Sequence, residues 1–149
     1  MKSNLFKSLQ TCIFLLGILT IFSGNLFSAE KISISEAWIR WMPNQVPMSG
    51  GYAKLKNNSD SEIFITGAEF DSFKRTELHE SLKIDGLMKM RKIGNISIKA
   101  GEEFELKPRH HHFMLIKPLK KFELGEKINF KVFLKDGTVV QSSAEFKKK

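Results

Sequence analysis

The stretch Leu78-His79-Glu80-Ser81-Leu82-Lys83-Ile84-Asp85-Gly86-Leu87-Met88-Lys89-Met90-Arg91-Lys92 decides how this chain folds. Asp85-Gly86 is a two-residue hairpin signal, because the turn whose twist matches its flanking strands needs positive φ at both central positions. With that turn in place Ile84 faces Leu87, and the other pairs follow: Lys83 with Met88, Ser81 with Met90, His79 with Lys92. Side chains alternate along a strand, so His79, Ser81 and Lys83 share one face with Met88, Met90 and Lys92. Met90 is then the diagonal neighbour of His79, with Cα atoms roughly 7–8 Å apart. A metal ion about 2 Å from an imidazole nitrogen, met from the other side by a flexible thioether, bridges that gap. A one-residue slip in register would destroy the arrangement.

Outward from the hairpin the chain keeps the same rhythm. Ile32, Ile34 and Ala37 to Trp41 read as an opening strand. Pro43 and Pro47 bracket a loop, Met42 to Ser49, since proline donates nothing to a ladder. Tyr52 to Lys56 follows Gly50-Gly51, and Asn57-Asn58-Ser59-Asp60 is a turn cluster before Ile63 to Phe70. Past the hairpin come short segments at Ile96 to Lys99 and Glu103 to Leu106, then a buried-looking strand at Phe113 to Ile116. Leu119, Phe122 and Leu124 are expected to tuck inward from a polar connection. Ile128, Phe130, Val132 and Leu134 alternate with polar residues except at Phe133. Asp136-Gly137 reads as a second hairpin turn, leading into Thr138 to Phe146. Short strands, regular turns and no helical period predict a single all-β sandwich.

Residues 1–29 stand apart. Lys2 and Lys7 precede an apolar run from Cys12 to Phe22 and a small, polar stretch ending at Ala29, which is the layout of a secretory leader. The run is too short for a comfortable membrane span. Cys12 stands at the start of the apolar core rather than after it, so it does not read as a lipidation site. Residues 30–149 then form the exported domain, with no transmembrane segment expected. Two of the 24 Lys and Arg residues fall in the leader, leaving 22 against 16 acidic residues, a net charge of +6. That balance suits a basic exported protein drawn to acidic partners or anionic lipid; its scattered cations argue against nucleic acid. Cys12 is the only cysteine, so the exported domain has no thiol chemistry and no thiolate site.

Metal-ligand chemistry concentrates at one further place, Arg109-His110-His111-His112-Phe113-Met114. His112 and Met114 are two residues apart and share a strand face, whereas His111 and Phe113 point the other way. Together with His79 and Met90 they make two imidazoles and two thioethers, a soft set that favours Cu(I). None of the four carries charge, which suits a reversible carrier. Met88, His110 and His111 are auxiliary candidates. The competing readings are a surface histidine tract that binds metal nonspecifically, with methionines as core filler, the default for Met42 and Met48. Blue-copper electron transfer is disfavoured for want of a cysteine. Hydrolysis is disfavoured because Glu80, beside His79, alternates to the opposite face.

The chain resembles the PCuAC-type periplasmic copper chaperones. Their pattern is a histidine, ten residues, a methionine, twenty-one residues, then His-x-Met; here it is met by His79, Met90 and His112-Phe113-Met114. Ala37-Trp38-Ile39-Arg40, Pro43, Gly50-Gly51-Tyr52, Glu77-Leu78-His79-Glu80, Ala100-Gly101 and Pro118-Leu119-Lys120 extend the likeness over nearly all of residues 30–149. Two features depart from it: no methionine follows soon after His79, and Arg109-His110-His111 replaces the small residues that usually precede the His-x-Met. The added imidazoles offer ligands for Cu(II) or zinc. The resemblance implies a cupredoxin-like sandwich and no enzyme activity. It implies one Cu(I) held at His79, Met90, His112 and Met114; a monomer is expected. The acceptor would be a copper centre of a terminal cytochrome c oxidase, or another copper carrier. A copper buffer without a dedicated acceptor, and an Ig-like interaction module without a specific metal site, are the alternatives.

Overall fold

The computed structural model describes residues 30–43 and 46–149; the leader and Cys12 lie outside them. Ten strands follow one another: β1 Ile32–Arg40, β2 Met48–Asn57, β3 Ile63–Phe70, β4 Phe73–Ile84, β5 Leu87–Lys92, β6 Ile96–Ile98, β7 Glu103–Leu106, β8 His112–Pro118, β9 Lys127–Leu134 and β10 Val139–Lys147. The hydrogen-bonded order is β5-β4-β8-β2-β1-β10-β9-β3-β6, with β7 also paired to β2. The parallel β1–β10 pair joins two antiparallel halves, which close on a shared core as an all-β sandwich. Among the described residues no helix is long and apolar enough to cross a membrane.

The core is built by alternation. Ile128, Phe130, Val132 and Leu134 are buried on β9, with exposed Asn129 and Lys131 and half-buried Phe133 between them. Phe70 stacks on Phe130 at 4.4 Å and tilts against Phe113 at 5.6 Å. Leu78 on β4 and Phe113 and Leu115 on β8 point into this core. Each stabilises the fold by about 2 kcal/mol through burial. A one-residue slip of either strand would turn these side chains to solvent, so the outward faces of β4 and β8 are set by what lies behind them.

The hairpin forms as its sequence predicts. Asp85 (φ 52) and Gly86 (φ 81) both occupy the left-handed region, and the pairs His79↔Lys92, Ser81↔Met90, Lys83↔Met88 and Ile84↔Leu87 all form. Asp136-Gly137 also closes a hairpin, between the antiparallel β9 and β10, but with a different turn. There only Gly137 has positive φ, Gly137 donates to the Leu134 carbonyl, and Leu134 donates to Thr138. The connection is a longer loop ending in a left-handed glycine.

Other expectations need correction. Met48 and Ser49 belong to β2 rather than to the preceding loop, because Met48 and Ser49 pair with Ile116 and Leu115. Met42 and Met48 are exposed rather than core filler, as are Leu119 and Leu124. Of the expected inward residues in that connection only Phe122 packs on the core, stacked against Phe73 and Phe146.

Candidate metal centre

One row of side chains crosses the outer face of the sheet. Trp38 on β1 pairs with Tyr52 on β2, and the Tyr52 and His112 rings lie 6.3 Å apart. His112 on β8 sits directly opposite His79 on β4, and His79 faces Lys92 on β5. The neighbouring row holds Gly50, Met114 and Glu77, and on the other side Ser81 faces Met90. The structure therefore brings His79, His112 and Met114 together on one face and puts Met90 on the diagonal beside His79.

Two local devices build this row. In β1 the register shifts between Ser35 and Trp38, with Glu36 in the left-handed region (φ 50). This bulge moves the core-facing positions from Ile32 and Ile34 to Ile39, and so turns Trp38 outward to pack against Tyr52, the rings tilted with centroids 4.3 Å apart. In the second, β7 and β8 run along the same side of β2, interrupted by residues 107–111: Leu106 pairs with Ala53 and Phe113 with Gly51. The excursion closes on itself where Lys107 donates to the His111 carbonyl and His110 to that of Lys107. Arg109 takes positive φ (66) at its tip.

That excursion sorts the three histidines. His112 re-enters the sheet and is buried; His110 is exposed. His111 points away from His79, with its ring edge-on to Phe104 and its Nε2 3.7 Å from Glu80. Met88 lies on the Met90 face nearer the hairpin turn, and both are exposed, Met90 by 60%. Met114 is buried at 9% exposure.

The hydrogen bonds of the two imidazoles are complementary. His79 Nε2 donates to Glu77 Oε2 at 3.0 Å, because a carboxylate flanked by Lys92 and Arg75 can only accept. The His79 bond, then burial opposing it, then Lys92 and Arg75 hold the Glu77 carboxyl below its ordinary pKa. His79 Nδ1 is then the lone-pair nitrogen, and it is buried with no hydrogen-bond partner among the described residues. His112 Nδ1 donates to the His110 carbonyl at 3.0 Å, which leaves Nε2 as its lone-pair atom. Each ring thus has one nitrogen committed to an oxygen acceptor and one free, the orientation that metal-binding histidines adopt. The ring centroids are 5.9 Å apart. Among the described residues no group of three or more His, Cys, Asp or Glu is placed to hold a metal ion, so an ion here must draw on the thioethers. The residues present fit a soft cation.

Sequence reasoning missed Glu77, Tyr52 and Trp38 as parts of this surface. Glu77 was legible in principle, since it alternates onto the His79 face two residues away; the aromatic pair depends on the β1 bulge.

Burial, ahead of repulsion by His79, His111 and Arg40, lowers the His112 pKa, while its bond to His110 opposes that. The unfolded chain, with a histidine pKa of about 6.5, therefore takes up a proton first. Between that value and the lower folded one, stability falls as pH falls. Urea midpoints are expected to drop as pH decreases from about 6.5, with a smaller drop for His112→Gln. Carboxylates such as Glu77 act only at lower pH.

Gly50 carries the aromatic wall. A Cβ there would lie 2.2 Å from Tyr52 Oη and 2.7 Å from Cζ, so the ring would have to leave Trp38 and His112. Gly50→Ala is expected to cost about 1–3 kcal/mol in chemical denaturation, and Gly50→Ala/Tyr52→Ala should recover part of the Gly50 component.

The fold is an all-β sandwich with a His/Met row across its outer face. The chain belongs to the LpqE-like family, whose match spans residues 32–145, and the PCuAC resemblance read from its spacing is upheld by the fold. The family's description includes the word lipoprotein; Cys12 is outside the described residues. Solved structures with the same fold include a copper-bound PCuAC domain from PmoF2, 17% identical with a TM-score of 0.66, covering 80% of this chain and 95% of that one. An apo PCuAC domain from PmoF1 matches with a TM-score of 0.67 at 17% identity, covering 80% and 96%. The CuI form of DR1885 from Deinococcus radiodurans matches with a TM-score of 0.62 at 23% identity, covering 82% and 83%. No curated protein matches the chain.

Proposed function

We propose that this protein is a periplasmic copper carrier, exported by residues 1–29, whose 30–149 domain binds one Cu(I) through His79, Met90, His112 and Met114. It passes the ion by ligand exchange to a copper centre of a terminal cytochrome c oxidase, without turning over a substrate. The observation that carries this reading is the buried, unpartnered Nδ1 of His79 across the sheet from His112, with each ring's other nitrogen already held by an oxygen. Copper named in the PmoF2 and DR1885 structures supports the choice of cargo.

The ligands differ in exposure, and that difference orders the transfer. Met90 is exposed and flexible, whereas His112 and Met114 are buried. An incoming donor would replace the Met90 thioether first, while the buried pair keeps the ion until the acceptor has engaged it. Neutral ligands leave the ion its charge, so each exchange separates none.

The test is a Cu(I) titration against a competing chelator. One tight equivalent is expected, weakened by Met90→Ala and retained in His110→Ala/His111→Ala. Binding that ignores Met90 and vanishes with the two extra histidines would mean a surface tract instead. Oxidase activity lost from a deletion strain under copper limitation would support delivery; copper sensitivity alone would support buffering.

A further inference from the structure

The β4–β5 hairpin extends past its neighbour. The β4–β8 pairs end at His79↔His112, and the last backbone bond to the adjoining loop is from Ser81 to the His110 carbonyl. Beyond it, residues 82–89 pair, among the described residues, only with each other. All of β5 is exposed, and the arm presents Ile84 at 41%, Leu87 at 67% and Met88 at 52% exposure. Alternation puts Ile84 and Leu87 on one face of the ribbon and Met88 on the other, so the tip is apolar on both sides. Cations accompany it on both sides too: Lys83 on the Met88 face, Lys89 on the Leu87 face, and Arg91 and Lys92 further back. Asp85 is the only acidic residue from 81 to 92.

We propose that this arm docks the protein on an anionic lipid bilayer, with Ile84 and Leu87 entering the headgroup boundary and Lys83 and Lys89 on the lipid phosphates. A protein partner covers one face of a ribbon; a bilayer surrounds an inserted tip and so accounts for apolar side chains on both faces. Addition of a strand from another protein along β5 is opposed by its Lys89, Arg91 and Lys92. The basic side chains supply attraction to a negative surface. At about 3.4 Å per residue, five residues separate His79 from Ile84, so the histidine row would stand about 17 Å above the inserted tip. The docking itself needs no copper and holds whether or not the site carries it.

The test uses the full chain without metal, so that any contact made by residues 1–29 is common to all variants. Leu87→Trp places a fluorophore at the tip, and Leu119→Trp places one on an equally exposed leucine at the opposite end of β4, where Phe73 pairs with Pro118. Each is mixed with phosphatidylglycerol-containing or purely phosphatidylcholine vesicles whose acyl chains are brominated, and compared with the unsubstituted protein. Quenching of Leu87→Trp by about half or more is expected in anionic vesicles only, with little change for Leu119→Trp. Adding Lys83→Glu and Lys89→Glu should weaken the vesicle partition on the order of tenfold or more. Quenching of Leu119→Trp instead would overturn the proposal. So would an unquenched Leu87→Trp in both vesicles, which would leave the arm as a protein-docking element.

Discussion

Replacing His112 by glutamine is expected to lower Cu(I) affinity by more than about 100-fold, the upper range for losing a residue that merely supports a ligand. Glutamine keeps a donor for the His110 carbonyl and fills most of the buried volume, but offers no imidazole nitrogen. The variant should therefore stay folded while one ligand of the proposed set is gone. Glu77→Gln makes the informative comparison. It removes the carboxylate that holds His79 Nε2 at 3.0 Å but leaves all four proposed ligands, so a loss of about 10-fold is expected. Chelator competition at neutral pH measures both. Equal losses would mean that Glu77 binds the ion itself. No loss for His112→Gln would remove the buried histidine from the site.

The second large effect has nothing to do with copper. Asn57 is fully buried at the end of β2, and its amide nitrogen donates to the carbonyls of Ser61, Ile98 and Lys99 at 2.7, 3.0 and 3.0 Å. Its oxygen accepts from the Ser59 backbone nitrogen at 3.0 Å and from the Ser59 hydroxyl at 2.7 Å. One side chain thus ties the β2–β3 turn to the end of β6. Asn57→Asp would aim a buried negative oxygen at carbonyls that need a donor. The expected loss is about 3–5 kcal/mol, a large part of the roughly 5–15 kcal/mol that holds a domain of this size together. Urea denaturation reads it directly. Asn57→Ala should cost less, because it leaves carbonyls unsatisfied without burying a charge.

The two effects separate what holds the sandwich from what uses it. The Asn57 network lies near the strand ends at β2, β3 and β6, whereas the candidate centre rests on β4, β5 and β8. Loss of stability with intact copper affinity per folded molecule is the expected signature of the first. Loss of affinity at unchanged stability is that of the second.

Much of the candidate site was legible in the chain because its logic is local. Two positive-φ positions at Asp85-Gly86 set the hairpin register, and strict alternation then put Met90 diagonal to His79 and His112 on the same face as Met114. Asp136-Gly137 marked its hairpin correctly but not its loop length. The same dipeptide closes a longer loop there, since Leu134 and Thr138 pair across it and only Gly137 turns left-handed. Met48 likewise looked like loop until Ile116 became its partner.

By itself, then, the sequence determined the strands, the hairpin register and which side chains share a face, because period-two alternation and tight-turn geometry act over a few residues. The tertiary structure alone decided that β4 lies beside β8, so that His79 meets His112 from 33 positions away. It also decided that a bulge at Glu36 turns Trp38 onto Tyr52, that Glu77 holds one nitrogen of His79, and that the other is left buried without a partner. Those choices follow from packing Leu78, Phe113 and Leu115 into one shared core, a free energy summed over the whole sandwich and invisible in any short stretch of it.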